Sequence, residues 1–104
     1  LIIMNISVVI PNYNGQELLG KNLPKIFEAV NFYKEKKEVI VTDDASLDNS
    51  ITVLQNIKEK MASIYPDIEF KNIKNEKNLG FSSNVNRGVE NASGDIVILI
   101  SGLA

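Results

Sequence analysis

The sequence predicts an α/β fold with four mainly parallel strands in the order 3-2-1-4 and three helices. Short β-branched runs alternate with segments in which apolar residues recur every three or four positions. The segments between strands are long enough for parallel crossovers. The chain has 104 residues, of which 44% are hydrophobic, so it is long enough for one domain and too apolar for a disordered segment.

The first strand and the first helix follow from the pattern of the first third of the chain. The β-branched run at residues 6–10 ends at a turn-forming segment that begins with Pro11. Gly20 and Pro24 disfavour the first half of the helix, so the sequence does not determine the residue at which the helix begins. One helix face is formed by Leu19, Leu23, Ile26, Phe27, Val30 and Tyr33.

The second strand, residues 39–42, is apolar up to Thr42, as expected for a strand covered on both faces. In the polar segment that follows, Ser46 or Asp48 is predicted to cap the second helix, which ends before Pro66. The apolar face of that helix consists of Ile51, Leu54, Ile57, Met61 and Ile64.

The third strand, residues 68–73, alternates apolar and polar residues as a half-exposed strand does. The fourth strand runs from Ile96 to Ile100 and is again uniformly apolar, which predicts a strand covered on both faces. Between them, one face of the third helix is formed by Phe81, Val85, Val89 and Ala92.

The composition excludes several kinds of chemistry. The chain has no histidine and no cysteine, which removes the commonest general base, thiolate nucleophiles, disulfides and thiolate zinc sites. A formal net charge of -2 leaves no surplus of positive charge for nucleic acid, so none is expected as a partner. No apolar run approaches the ~20 residues that cross a bilayer.

In the predicted strand order, a ligand crevice forms at the carboxyl ends of the first and fourth strands. Asp43 and Asp44 follow the second strand, where they could bind a base, a ribose or a cation, or could equally satisfy turn amides. Tyr13 could stack on a planar base or be an ordinary surface residue. No glycine-rich phosphate loop follows the first strand, which argues against a dehydrogenase and a P-loop ATPase.

An asparagine- and serine-rich segment begins the third helix, where it lowers helix stability. The amides and hydroxyls could therefore face the crevice, and Gly80 would let the backbone approach a ligand, although a glycine is also common at a helix start. The residues concerned are Ser82, Ser83, Asn84 and Asn86.

Three segments together resemble the N-terminal half of a family 2 inverting glycosyltransferase of GT-A fold. They are residues 7–14 (SVVIPNYN), 38–50 (EVIVTDDASLDNS) and 78–95, which contain NLGFSSNVNRGV and ASGD. The resemblance implies a Rossmann-like half of a GT-A domain, with residues 1–104 as a single partial domain. It implies binding of a nucleotide-diphosphate sugar for transfer to a cell-surface glycan acceptor, whose own site is expected outside this chain.

The resemblance also assigns residues to the nucleotide. It implies that Pro11 and Tyr13 border the nucleobase and that Glu17 lies near the nucleotide. It implies that Asp44 hydrogen-bonds the base, while Asp43 supports the loop. The nucleotide edge of the crevice would be lined by Asn78, Gly80 and Asn84.

One departure concerns the metal. In such enzymes the fourth strand runs into an acidic motif whose carboxylate holds a divalent metal on the diphosphate. The matching residues 101–104 read SGLA, so Mg²⁺ or Mn²⁺ is expected for the intact enzyme while its ligand motif is absent here. The catalytic base is expected downstream of Ala104, so this chain is predicted to be a fragment that does not transfer sugar by itself.

Two other hypotheses stay open at this stage. One is a non-catalytic scaffold or interaction domain of the same fold, and the other is a receiver-like signalling module that uses Asp43 and Asp44. The apolar strand from Ile96 to Ile100 would expose an edge, which predicts a homo-oligomer. The expected location is cytoplasmic, with membrane association through segments outside this chain.

Overall fold

The computed structural model describes residues 2–102, and its architecture is that of a parallel α/β sheet. All four strands are parallel in the order β3-β2-β1-β4, which confirms the predicted fold class and strand order. The elements are β1 (Ile6–Asn12), α1 (Gln16–Asn31), β2 (Lys37–Asp43), α2 (Ser50–Ile64), β3 (Ile68–Lys74), α3 (Phe81–Glu90) and β4 (Ile96–Leu99).

One face of the sheet is covered by α1 and α2 and holds the apolar core. Helix α1 begins at Gln16 and continues through Gly20 and Pro24, because its apolar face packs on the sheet and on α2. The ring of Phe27 meets Phe70 edge to face at a centroid distance of 5.0 Å. The core includes Val8, Ile10, Leu19, Leu23, Phe27, Val39, Val41, Leu54, Ile57 and Met61.

The opposite face of the sheet carries α3, where small and polar residues make the contact. The buried residues of α3 are Asn84 and Gly88. A Cβ at Gly88 would lie 2.4 Å from Val9 Cγ1 and 3.1 Å from Thr42 Cγ2, so only glycine permits this approach. The apolar residues predicted on one face of this helix do not form its packing face, because Phe81 and Val89 are 61% and 43% exposed.

The fourth strand lies at the sheet edge and pairs, within residues 2–102, only with β1. Its residues Ile96, Val97, Ile98 and Leu99 are 43%, 39%, 41% and 47% exposed, so the prediction of cover on both faces is wrong for this strand. The prediction is right for β2, which is buried along its whole length. The exposed apolar edge expected for β4 is confirmed.

A buried carboxylate fixes the loop before β4 to the end of the sheet opposite the carboxyl ends of the strands. Glu38 is 2% exposed, and its Oε1 lies 2.7 Å from Lys71 Nζ. Its Oε2 accepts hydrogen bonds from the Ser7 hydroxyl and from the Ser93 backbone N–H, the latter at 2.6 Å. The network therefore joins β1, β2 and β3 to the segment that leads into β4.

We expect the protein to lose stability in acid because of Glu38. Burial raises the pKa of this carboxyl, but the hydrogen bonds from Lys71, Ser7 and Ser93 outweigh burial and lower the pKa from 4.5 to about 2. The stabilisation is present above pH 4.5 and is lost as the pH falls towards 2.

The stabilisation by the ionised Glu38 amounts to about 2 kcal/mol after allowance for solvent screening. Urea unfolding of the wild type and of Glu38→Gln between pH 7 and pH 3 measures this contribution. The difference between the two proteins should shrink in acid, and a constant difference would contradict the assignment.

Candidate functional site

A cleft of about 360 Å³ lies where β1 and β2 end and α3 begins. It lies at the carboxyl edge of the parallel strands, as predicted from the strand order. Its lining residues are Pro11, Asn12, Tyr13, Asp44, Asn78, Gly80, Phe81, Asn84 and Gly102. Six of the eight residues that the sequence assigned to the nucleotide therefore line one cleft, and Asp43 and Glu17 are not among them.

The alternation of the strand separates the two neighbouring aspartates. Asp43 ends β2, and the Asp44 N–H continues the pairing with β1, so the two side chains point to opposite faces of the sheet as successive strand residues do. Asp44 lies on the side of α3 and lines the cleft. Asp43 accepts hydrogen bonds from the Asn12 amide at 2.9 Å and from the Ser46 hydroxyl at 2.6 Å. These contacts fit the loop-supporting role expected for Asp43.

Asp44 organises the loop between β3 and α3. It is 3% exposed, and its Oδ1 accepts hydrogen bonds from the Leu79 N–H at 2.8 Å and from the Asn75 amide at 2.9 Å. Its Oδ2 accepts the Gly80 N–H at 2.9 Å. A carboxylate oxygen has two lone pairs, so Oδ2 retains capacity for one further donor. This remaining capacity is open to an N–H or O–H donor of a ligand in the cleft.

The protonation state of Asp44 follows from the same contacts. Burial raises the pKa of the carboxyl, but the hydrogen bonds from the Leu79 N–H, the Asn75 amide and the Gly80 N–H outweigh it. The pKa is therefore lowered below its ordinary value, and the group is an anion at neutral pH. An anionic carboxylate offers acceptors only, which suits it to an N–H or O–H donor on a ligand.

Gly80 adopts a backbone conformation that only glycine tolerates. Its φ is 91° and its ψ is 164°, a backbone conformation that residues with a Cβ avoid. It is the N-cap of α3, and its carbonyl accepts the Asn84 N–H at 3.0 Å. Asn78 is exposed beside it and donates from its amide to the Asp44 carbonyl at 3.3 Å. A glycine at this position lets the backbone come close to the cleft, as expected from the sequence.

Asn84 is the polar side chain of α3 that reaches the cleft, while Ser82 and Ser83 are exposed. It is 2% exposed, and its amide donates to the Thr42 carbonyl at 2.9 Å. Its Oδ1 accepts the Asn75 amide at 2.9 Å. The side chain is therefore held in one orientation at the base of the cleft.

Tyr13 and Pro11 form the β1 side of the cleft. Strand β1 continues through Pro11 to Asn12, two residues beyond the predicted end, because the Asp44 N–H still bonds to the Asn12 carbonyl at 2.9 Å. Pro11 is buried, and Tyr13 is 47% exposed. An aromatic ring that is half exposed at the mouth of a cleft is available for stacking.

The loops after β1 and β2 are tied to each other by Asn14. Its Oδ1 accepts the Leu47 N–H at 2.7 Å, and its own N–H donates to the Ser46 hydroxyl at 2.9 Å. Asn14 and Ala45 both have positive φ, 54° and 59°. Asparagine tolerates this region, whereas alanine is strained there by about 1 kcal/mol. The strain is localised to the loop that carries Asp44.

The residue that joins the two helix starts is Asp48. One of its oxygens accepts the Gln16 N–H at 3.1 Å, and the other accepts the Ser50 N–H at 2.9 Å. The prediction that Ser46 or Asp48 caps α2 is wrong, because the N-cap is Asn49, but Asp48 accepts the N–H of the first residue of α2 and that of the first residue of α1. Burial raises the pKa of Asp48, but the hydrogen bonds from Ser50 and Gln16 lower it further than burial raises it. Glu17 is exposed in the first turn of α1 and does not line the cleft.

The described part of the chain does not fit a divalent metal. Within residues 2–102 no three acidic side chains lie close enough together to hold an ion. Asp43 and Asp44 point apart, and both are occupied by donors from their own loops. These two carboxylates therefore do not converge on a common ion. In the same range, no helix has the length and apolar character to cross a bilayer.

Besides Gly102, which lines the cleft, three residues of the site were not assigned to it from the sequence. Asn12 and Phe81 line the cleft, and Asn75 lies buried behind it with hydrogen bonds to Asp44 and Asn84. Asn75 is a polar residue that directly follows a strand, as Asp43 and Asp44 were predicted to be. The same argument from strand ends could therefore have identified it. Phe81 carried no signal, because its helical spacing suits a core residue equally well.

Comparison with known families gives one match that spans most of the chain. Glycosyl transferase family 2 matches residues 7–101. A curated relative, the dolichol-phosphate mannosyltransferase of Pyrococcus furiosus, is 35% identical over 97 residues, which are 93% of this chain and 25% of that protein. The chain thus spans about a quarter of the length of this relative.

Two solved structures share the fold. The mannosyltransferase PcManGT from Pyrobaculum calidifontis, in complex with GDP-Man and Mn²⁺, has a TM-score of 0.77 at 22% identity, over 96% of this chain and 28% of that chain. TarS 1-349 of S. aureus, in complex with UDP-GlcNAc, has a TM-score of 0.73 at 27% identity, over 94% of this chain and 26% of that chain. The first of these similarities concerns the fold alone.

Proposed function

Because this chain belongs to glycosyl transferase family 2, we propose that its cleft binds the nucleoside part of a nucleotide-diphosphate sugar that is donated to a glycan acceptor. The observation that carries the proposal is the joint presence of Tyr13 and Asp44 in one cleft at the carboxyl edge of the sheet. An aromatic ring provides stacking for the base, and a carboxylate with spare acceptor capacity recognises a base N–H.

The size and polarity of the cleft support a nucleoside. Its volume of about 360 Å³ lies in the range of small-molecule sites. Gly80 brings backbone to the edge of the cleft, and the start of α3 beside it favours negative charge. A diphosphate that extends from the nucleoside towards this edge would lie in the positive potential at the start of α3.

The transfer proposed for the complete site is a single displacement. The acceptor hydroxyl oxygen bonds to the anomeric carbon, the bond from that carbon to the diphosphate breaks, and a base takes the hydroxyl proton. Such a displacement inverts the anomeric configuration. The residues of this chain would hold the donor for that step. Asp44 is poorly suited as the base, because its pKa is lowered by the Leu79, Asn75 and Gly80 contacts despite burial.

We propose accordingly that this chain alone binds donor without transferring sugar. Asp44 is the one carboxylate that lines the cleft within residues 2–102, and it is engaged by the loop. Incubation of the purified chain with a donor and an acceptor glycan, followed by detection of the released nucleoside diphosphate, tests this statement. Turnover above the uncatalysed rate would refute it.

Nucleotide binding itself is tested by NMR titration with UDP-GlcNAc and GDP-mannose, with and without Mn²⁺. We expect shifts at Tyr13, Gly80 and Asn84 that do not depend on the metal. Tyr13→Ala should weaken binding about tenfold, the value of one stacking contact. The matched control is Phe32→Ala, which removes an aromatic ring that is 76% exposed and does not line the cleft.

Absence of shifts at millimolar donor, with the fold intact, would contradict the proposal and favour a non-catalytic scaffold or interaction domain of the same fold. The family assignment gives no support to a receiver-like signalling module. We also propose a cytoplasmic location at the inner membrane surface, and the support for the membrane is that a relative is a dolichol-phosphate mannosyltransferase.

We also propose that two copies pair through β4. Its free edge is apolar, and unpaired N–H and C=O groups at such an edge attract another strand. Light scattering at about 100 µM should show a dimer for the wild type and a monomer for Ile98→Lys, since an edge lysine blocks pairing. Leu47→Lys is the control, because Leu47 is 85% exposed and lies in a loop. A monomeric wild type would overturn this proposal.

A further inference from the structure

We propose that Asn75 is a positioning residue of the cleft, whose side-chain amide couples Asp44 to Asn84 and so determines which atoms of both remain for the nucleotide. The inference rests on the proposed function, because it concerns the same cleft. Asn75 does not line that cleft and would act through the two residues that do.

The position of Asn75 is fixed by its backbone and by burial. It follows β3 directly, and its N–H donates to the Asp43 carbonyl at 2.8 Å, which continues the pairing of β3 with β2. The residue is 3% exposed. Its side chain lies between the end of β2 and the first turns of α3, where it contacts Asp44 and Asn84.

Both N–H groups of the Asn75 amide are used. One donates to Asp44 Oδ1 at 2.9 Å and the other to Asn84 Oδ1 at 2.9 Å. Rotation of the amide by 180° would place its oxygen against two acceptors, one of them an anion, so a single orientation is stable. No other residue of the described chain bridges these two side chains by hydrogen bonds.

Asn75 thereby sets the acceptor pattern of Asp44. Together with Leu79 it fills Asp44 Oδ1, so that spare capacity remains on Oδ2, which holds only the Gly80 N–H. On the other side it holds Asn84 Oδ1, which directs the Asn84 amide nitrogen to the Thr42 carbonyl. One N–H of Asn84 is left over. The cleft thus offers a ligand one acceptor and one donor at defined atoms.

The test is Asn75→Asp, with donor affinity measured between pH 8 and pH 5. The substitution removes both donors and places a second carboxylate beside Asp44, and two close carboxylates do not both ionise freely. At pH 8 we expect affinity to fall at least tenfold. Towards pH 5 the pair takes up one shared proton, and an O–H donor then replaces one N–H, so affinity should partly recover. The wild type should show no such recovery.

The other charged groups near Asn75 do not produce this profile. The groove on its outer side is lined by Lys74, Glu76, Lys77 and Arg87, and Asp43 and Asp44 lie on its inner side. All of these groups are also present in the wild type, so any contribution of theirs to the pH dependence appears in the wild-type profile as well. UDP-GlcNAc and GDP-mannose are the probes, because their diphosphates carry no proton that titrates between pH 5 and pH 8.

The matched control is Asn91→Asp, which makes the same change at the other end of α3, where the amide is exposed and donates to the Arg87 carbonyl. It should bind as the wild type does at every pH. If Asn75→Asp does not fold, as judged by its ¹⁵N spectrum, Asn75→Ser keeps one donor. That variant should lose about threefold to tenfold in affinity, and the ¹³C-detected pKa of Asp44 should rise in it.

The outcomes separate the two proposals. A wild type that binds neither donor overturns the proposed function, and this inference with it. A wild type that binds, with an Asn75→Asp variant that binds equally well or is weakened equally at all pH values, overturns the positioning role alone. For Asn75→Ser, unchanged affinity or an unchanged Asp44 pKa has the same meaning.

Discussion

Replacement of Asp44 by alanine should lower the affinity for the sugar nucleotide at least tenfold and lower the free energy of unfolding by about 3 kcal/mol, because three hydrogen-bond donors, one of them buried and two partly buried, lose their acceptor. These are the N–H groups of Leu79 and Gly80 and the amide of Asn75. The loop that carries them would no longer be fixed to β2. Calorimetric titration with the donor and urea unfolding measure the two effects.

A matched control separates the effect of losing the Asp44 carboxylate at this site from the effect of removing one negative charge from the protein. Asp67→Ala removes an exposed aspartate that precedes β3 and does not line the cleft. It should change neither quantity by more than about 0.5 kcal/mol. If Asp44→Ala behaves like this control, Asp44 neither organises the loop nor contacts the nucleotide, and the description of the cleft is wrong.

Replacement of Gly88 by valine should unfold most of the protein. Even the first carbon of a side chain would lie 2.4 Å from Val9 Cγ1, and valine adds two methyl groups at that point. Overpacking of this kind costs about 1–3 kcal/mol or more, which is a large part of the stability of a small domain. The ¹⁵N spectrum and the thermal unfolding midpoint measure the result.

The control for this substitution is expected to raise the thermal unfolding midpoint rather than lower it. Gly20→Ala also fills a helical glycine, but its Cβ would make an ordinary contact with Val53 Cγ1 at 3.8 Å. Alanine is the better helix former by about 1 kcal/mol, so the midpoint should rise. A Gly88→Val protein that melts like the wild type would show that α3 does not pack against β1 as closely as described.

The fold was predictable because its signals are local. Strands β1 and β2 were found from β-branched runs, β3 from the alternation of apolar and polar residues, and α1 and α2 from apolar spacing, since each of these elements buries the face that its pattern indicates. Helix α3 breaks this rule, because it packs through Asn84 and Gly88 and leaves Phe81 exposed. Steric fit of a glycine against a particular valine is a tertiary property that spacing does not encode.

The site was predictable in outline and not in its connections. Residues at strand ends meet at one edge, so the positions of Tyr13 and Asp44 followed from the strand order. The divergence of Asp43 from Asp44 follows from strand alternation, which the sequence reasoning did not apply beyond the predicted strand end. The link from Asn75 to Asn84 joins two separate elements, and the positive φ of Ala45 has no signal in its residue type.

The central claim is that the cleft holds a nucleobase against Tyr13. Intermolecular nuclear Overhauser effects from the base protons of bound UDP-GlcNAc or GDP-mannose test it most directly. The account predicts contacts from these protons to the Tyr13 ring and to the side chain of Asn84, with the Asn84 contact weakened in Tyr13→Ala at the same concentration of sugar nucleotide. Contacts to residues outside the cleft, such as Lys74 or Arg87, would place the nucleotide elsewhere and contradict the account.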